Sequence, residues 1–200
     1  NTIFNIKMTY PYINNNFYTN LLLDEVGYYS ATSEKIAKII TKLINKYVDK
    51  KSIITDGTAG VGGNTISFAK FFKKINAVEI NIDRFSYLQN NINLHKQQDQ
   101  INLYNMDYVT SYHMLKQDVI FLDPPWGGKT YKQEKQLRLY LSQLCIVDFC
   151  NKLMHHSKII VLKVPKNFDF KHFIPSISNG IWVNSSFVFF MFKFLYCLLL

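Results

Sequence analysis

Two short stretches of this 200-residue chain hold residue types that could do chemistry together. The first, Asp56-Gly57-Thr58-Ala59-Gly60-Val61-Gly62-Gly63-Asn64-Thr65, lies between a short apolar run and a helical pattern. Glycines let backbone approach a ligand closely, and the start of the following helix offers N–H groups without intrahelical partners. Glu79 closes the next apolar run, and an acid ~20 residues after such a turn is placed to bind ribose hydroxyls. The turn does not read G-x-G-x-x-G, and no G-x-x-x-x-G-K-[ST] occurs, so dinucleotides and nucleoside triphosphates lose ground. Alone, it reads as a structural turn with an exposed glutamate. The second stretch, Asp123-Pro124-Pro125-Trp126-Gly127-Gly128, follows the apolar Asp118–Leu122. Its residue types suit methyl transfer to an exocyclic amine, whose lone pair is conjugated into a base. A side-chain oxygen and a proline carbonyl can accept the two N–H bonds, and the indole can stack on the base. The diproline fixes φ and removes donors. The two stretches together outweigh the bland reading of Pro-Pro as a strand stop.

Elements must hold these residues in place. Ile36, Ala37, Ile39, Ile40, Leu43, Ile44, Tyr47 and Val48 recur at helical spacing, with Thr32 or Ser33 as N-cap. Ser52–Thr55 predicts a strand ending at Asp56, Asn64–Phe72 a helix, Ile75–Ile80 a strand, Arg84–Lys96 a helix and Ile101–Asn105 a strand. Asp118–Leu122 is a fourth strand, stopped by the prolines. Gln136–His155 reads as one long helix, Lys158–Val164 as a fifth strand, and Ile181–Tyr196 holds the last strand signals. Strands alternating with crossover helices imply a mostly parallel sheet with helices on both faces. Residues 1–30, rich in Tyr and Asn, fall outside the pattern and read as a small N-terminal arm or cap.

The chain carries 23 Lys+Arg against 14 Asp+Glu, a formal net +9. With 48% hydrophobic and 18% charged residues it can form a sizeable core, which excludes a disordered chain. The positive excess points to an anionic partner: nucleic acid, nucleotide or acidic membrane. Cys145, Cys150 and Cys197 have no metal-ligand spacing, so neither a disulfide scaffold nor a zinc module is expected, and a reducing, intracellular setting is. The apolar Phe187–Leu200 run is shorter than the ~20 residues of a membrane span and reads as a buried strand or strand pair. Lys7, His155 and His156 read as a solvated lysine and a helix end rather than catalysts.

On these residues the chain resembles class I S-adenosylmethionine-dependent methyltransferases, and within them the trimethylguanosine synthase family, the RNA cap guanine-N2 methyltransferases. Leu23 to Ala37, Asp56 to Thr65 and Asp123 to Gly128 carry the resemblance, with Asn90-Asn91 and Val164-Pro165-Lys166-Asn167, over roughly residues 20–170. It implies an α/β, doubly wound Rossmann-like fold: a mostly parallel seven-stranded sheet with an antiparallel C-terminal strand and a small N-terminal extension, residues 31–200 forming the methyltransferase domain. It implies S-adenosylmethionine as cofactor and m7G-capped RNA as partner, with no metal, membrane or obligate protein partner, in nucleus or cytoplasm. By the same resemblance Thr32, Asp56, Gly60, Asn64, Glu79 and Asp107 bind the cofactor, Glu79 at the ribose and Asp107 beside the adenine. Asp123, Pro124 and Trp126 are the catalytic set, and Asn91, Trp126 and Lys166 meet the cap base and its phosphates.

Asp123 stands where this family usually has serine, which keeps an adenine-N6 methyltransferase of DNA or RNA as the alternative. A catalytically silent cap- or RNA-binding subunit is a third reading, against which the acids Asp56, Glu79, Asp107 and Asp123 argue.

Overall fold

The computed structural model describes residues 20–178, 181–185 and 188–192, the side chains of Lys129 and of the last two segments excepted. Most of the expected arm, Lys7 included, and the chain end with Cys197 lie outside the described residues. The chain forms two compact units, Asn1–Tyr108 and Val109–Leu200.

In the first unit, β1 (Ile53–Asp56), β2 (Lys74–Val78) and β3 (Ile101–Tyr104) pair in parallel in the order β3-β2-β1. Ile54, Ile75, Ala77 and Val78 are buried, as expected of short apolar runs covered on both faces. Among the described residues this unit holds the α-helices α1 (Glu25–Ser30), α2 (Glu34–Ile44), α3 (Gly63–Ala69) and α4 (Ile82–Leu94). Asp24 caps α1 by accepting from the Gly27 N–H at 2.7 Å, and Asn81 caps α4 by accepting from the Arg84 N–H at 2.9 Å. Of the apolar stripe expected on α2, Ala37, Ile40 and Ile44 are buried, while Ile36 and Ile39 stand exposed. Thr41 completes the buried face, its hydroxyl 2.7 Å from that of Ser67 on α3.

In the second unit, β4 (Val119–Leu122) pairs in parallel with β7 (Ile159–Lys163). Between them come β5 (Tyr140–Leu141), β6 (Leu144–Cys145) and α5 (Ile146–Leu153); α6 (Phe170–Ser176), β8 (Ile181–Ser185) and β9 (Val188–Phe192) follow. The order is β4-β7-β9-β8, with β9 antiparallel to both neighbours. The α/β class is as expected; among the described residues the first unit holds three parallel strands and the second holds two, joined there by the antiparallel pair β8/β9.

The long helix over Gln136–His155 is corrected: only Ile146–Leu153 is helical. Its expected first half is the β5/β6 hairpin, turned by Ser142 and Gln143 at φ 45° and 67°. Tertiary pairing wins over local periodicity here, because the Leu137 N–H donates to the Asn167 carbonyl (2.8 Å) and the Asp169 N–H to the Leu137 carbonyl (2.9 Å). The His172 backbone N–H and the Arg138 guanidinium beside Asp169 hold its carboxyl below the usual carboxylate range. On α5 the Cys150 thiol is fully buried, and burial pushes it far up, so it behaves as an apolar core atom rather than a nucleophile.

Candidate functional site

The glycine turn leaves β1 at its C-terminal end and enters α3. Asp56 is fully buried at the last strand position; its Oδ2 accepts from the Thr65 hydroxyl at 2.7 Å and its Oδ1 from the Thr58 N–H at 3.3 Å. An internal tie of this kind spans the turn and pulls the start of α3 back to the strand. Gly62 stands at φ 102°, a left-handed position that a side chain adopts only with strain, and a Cβ there would meet Leu88 at 3.0 Å.

Glu79 follows β2 and is 6% exposed, so its two bonds decide what the turn looks like. Its Oε2 accepts from the Gly60 N–H and its Oε1 from the Asn81 N–H, each at 2.9 Å. A carboxylate has about four acceptor sites, so capacity for a ligand hydroxyl remains. Asn105 braces the same corner, donating to the Glu79 carbonyl at 2.8 Å. Asp107 sits half-buried just beyond. Sequence reasoning missed Arg84, which lies 3.0 Å from Asp24 Oδ2 through Nε and 3.8 Å from Glu79 Oε1 through Nη1, linking the α1 cap to the buried acid.

Thr32 and Asn64 come together: the Asn64 side-chain amide donates to the Thr32 hydroxyl at 2.9 Å. Asn64 Oδ1 is buried and finds no hydrogen-bond partner among the described residues. An orphaned buried acceptor costs ~1–3 kcal/mol, so Asn64 Oδ1 has capacity for one further donor.

Asn91 corrects an expectation. It is fully buried, and its amide is used up: Oδ1 accepts from the Leu22 N–H (3.0 Å) and the Asn90 amide (3.2 Å), while Nδ2 donates to the Leu22 and Val61 carbonyls (2.9 and 3.0 Å). It fastens the segment before α1 to the glycine turn, a scaffold role rather than a substrate contact.

In the second unit Asp123 and Trp126 follow β4, with Pro124 buried and Pro125 exposed. Lys163, the last residue of β7, is 8% exposed and places Nζ 2.5 Å from Asp123 Oδ2 and 5.0 Å from the centroid of the Trp126 ring. The register explains the meeting: Leu122 pairs with Leu162, so Asp123 and Lys163 leave the two strands side by side. The charge ending Ile-Ile-Val-Leu-Lys was the only sequence signal for it. Tyr131 packs edge-on to Trp126 at 5.2 Å, and the Trp126 Nε1–H is buried without an acceptor among the described residues. Lys166 is exposed in the same unit, three residues beyond the strand end. Asn167, next to it, donates to the Tyr131 and Glu134 carbonyls at 2.8 Å each and so ties the chain after β7 to the chain after Trp126. Among the described residues no group of three or more His, Cys, Asp and Glu could hold a metal ion, and no helix is long and apolar enough to cross a membrane.

Residues 51–188 match the family model described as RNA cap guanine-N2 methyltransferase. A protein of Acanthamoeba polyphaga mimivirus is 44% identical over 135 residues, 65% of this chain and 52% of that one. The trimethylguanosine synthase of Schizosaccharomyces pombe is 30% identical over 121 residues, 58% of this chain and 50% of that one. The chain thus spans about half the length of these relatives. A solved Streptococcus mutans structure, described as a methyltransferase in complex with SAH, shares the fold with TM-score 0.57 at 12% identity, over 78% of this chain and 97% of that one.

Proposed function

We propose that this chain, which belongs to the family of RNA cap guanine-N2 methyltransferases, binds S-adenosylmethionine and methylates the exocyclic N2 of the 7-methylguanosine cap of RNA. The observation that carries the cofactor half is the orphaned Asn64 Oδ1 beside Thr32, together with a buried Glu79 that already holds the Gly60 N–H. These groups fit the cofactor's polar ends. Asn64 Oδ1 and Thr32 suit the methionyl ammonium, Glu79 the ribose hydroxyls, Asp56 and Gly60 the pocket floor, and Asp107 the adenine amine. Bound there, S-adenosylmethionine supplies a methyl group activated by its sulfonium.

The chain's own residues then have to orient a weak nucleophile. The Asp123 carboxylate accepts one N–H of the amine and the Pro124 carbonyl the other, which turns the lone pair out of conjugation. Trp126 stacks on the base, and its electron-rich face favours the positive charge of 7-methylguanine. Lys166 lies exposed where phosphate can be met. Positioning of this kind supplies much of the rate, because correctly held reactants react with high effective molarity.

Adenine N6 is the second reading, and one observation favours it: Lys163 already places a cation over the Trp126 ring, which suits a neutral base better than a charged one. Incubation with methyl-labelled S-adenosylmethionine and either m7GpppA or uncapped adenine-containing RNA separates the two. Mass spectrometry of the digested product is expected to find label on N2 of the cap guanine. Label on adenine alone would overturn the cap reading and leave methyl transfer standing.

A further inference from the structure

We propose that Lys163 is a positioning residue of the acceptor site, holding the Asp123 carboxylate in the orientation that receives the exocyclic amine; the proposal rests on the methyl-transfer reading above. A lysine at the end of a fully buried apolar strand carries a desolvation cost that an apolar residue there would not. Burying an ammonium is costly unless a counter-charge meets it. Ile159, Ile160, Val161 and Leu162 are all buried, and Lys163 is buried with them. The other end of the same strand pair shows the ordinary arrangement: Lys158 pairs with Asp118 at 2.8 Å, but its side chain is 74% exposed, so that bond is a solvated surface pair. Lys163 and Asp123 have side chains only 11% and 16% exposed and meet at 2.5 Å. Short, charge-assisted and shielded from water, this bond fixes the rotamer of the one carboxylate in the Asp-Pro-Pro-Trp segment.

The ammonium does two further things. It offsets the carboxylate's charge, so a neutral amine can be received without leaving a lone buried anion. Over the Trp126 ring it also ties the indole to the same carboxylate, so stacking platform and amine acceptor are set by one group. A misplacement of ~1 Å in such an arrangement costs ~10²-fold in rate.

The test compares Lys163→Met, Lys163→Arg, Asp123→Asn and the double variant, with turnover counted per molecule competent to bind S-adenosylmethionine by calorimetry. The double variant removes both charges together, so it folds without a lone buried ion even where a single variant is unstable. Lys163→Met is expected to lower kcat ~10–100-fold with KM for S-adenosylmethionine within about twofold, and Lys163→Arg to recover part of that loss. The double variant is expected to be no slower than Asp123→Asn, as coupled residues are not additive. Lys163→Met with kcat within about threefold of wild type, or losses that multiply in the double variant, would overturn the proposal. So would a lowered melting temperature with unchanged kcat per competent molecule, which is what a purely structural lysine predicts. Wild-type protein that methylates adenine-containing RNA instead of the cap defeats the cap reading alone, and the same four variants then test Lys163 on that substrate. Wild-type protein that methylates neither defeats both.

Discussion

At the scale of single residues, Glu79 has a task beyond the one proposed for it at the ribose. Its carboxylate latches the Gly60 N–H that shapes the turn. Glu79→Ala is therefore expected to weaken S-adenosylmethionine binding by tenfold or more and to lower the melting temperature as well. Hydrogen bonds to a charged group are worth ~1.5–3 kcal/mol each, and two backbone donors would lose their partner. Calorimetry that leaves the affinity within twofold would remove Glu79 from the cofactor site. Trp126 carries the parallel expectation for the acceptor. Base stacking on an aromatic ring is worth ~1–3 kcal/mol, and a charged base adds ~0.5–2 kcal/mol. Trp126→Ala is expected to weaken m7GpppA more than GpppA while the cofactor affinity stays within twofold. Equal losses for both dinucleotides with intact folding would favour the adenine reading. Asp56, Glu79, Asp123 and Trp126 were singled out from type and spacing, and Asp107 only through the family resemblance; Lys163 and Arg84 were not singled out, because each gains meaning from a partner forty and sixty residues distant in sequence.

At the scale of elements, the site depends on how closely α1 approaches the glycine turn. A Cβ on Gly27 would lie 2.7 Å from Val61 Cγ1 and 2.8 Å from Asp24 Oδ1. The first contact is with the turn itself and the second with the N-cap of the same helix. Gly27→Ala is expected to cost ~1–3 kcal/mol, the usual penalty of overpacking, and to loosen cofactor binding through Val61. Urea unfolding and calorimetry on one variant measure both. Asn91→Ala removes the amide that joins Leu22 to Val61 and leaves buried backbone groups unpaired, at ~1–3 kcal/mol for each group stranded. A melting temperature unchanged in Asn91→Ala would show that segment 20–24 is not held by this residue. The helices and strands of the first unit were readable because their apolar periods agree with their tertiary partners. The stretch from Gln136 was not, because two left-handed turn residues and a backbone tie to Asn167 override a helical period.

At the scale of the whole molecule, charge and burial set the response to solution conditions. Burial, aided by the Lys70 ammonium, lowers His95 to about 4. The unfolded chain takes up a proton on this imidazole near its ordinary value, while the folded one refuses it, so the contribution to stability is full above ~6.5 and is lost as pH falls toward ~4. His95→Gln is expected to flatten the decline in unfolding free energy between pH ~7 and ~4.5, measured by urea titration at several pH values. An unchanged slope would show that His95 is not the group responsible. The net charge of +9 makes a second expectation. Capped RNA of ten or more nucleotides should lose affinity with added salt more steeply than m7GpppA, since each phosphate neutralised adds ~0.7 to the logarithmic slope for single strands.

What the sequence determined by itself is the α/β class, the glycine turn after the first strand, the acid after the second and the Asp-Pro-Pro-Trp segment after the fourth. These follow from local rules: apolar runs of strand length, glycines where backbone must turn, prolines where a ladder must stop. What only the tertiary structure decided is which polar groups are already used and which keep an open acceptor. Asn91 looked like a contact residue and is consumed by backbone; Asn64 keeps a buried acceptor open; Lys163 reaches Asp123 because parallel register sets their strand ends side by side. A hydrogen-bond partner is a matter of distance in space, and a chain encodes it only through the register of strands that pair across long stretches of sequence.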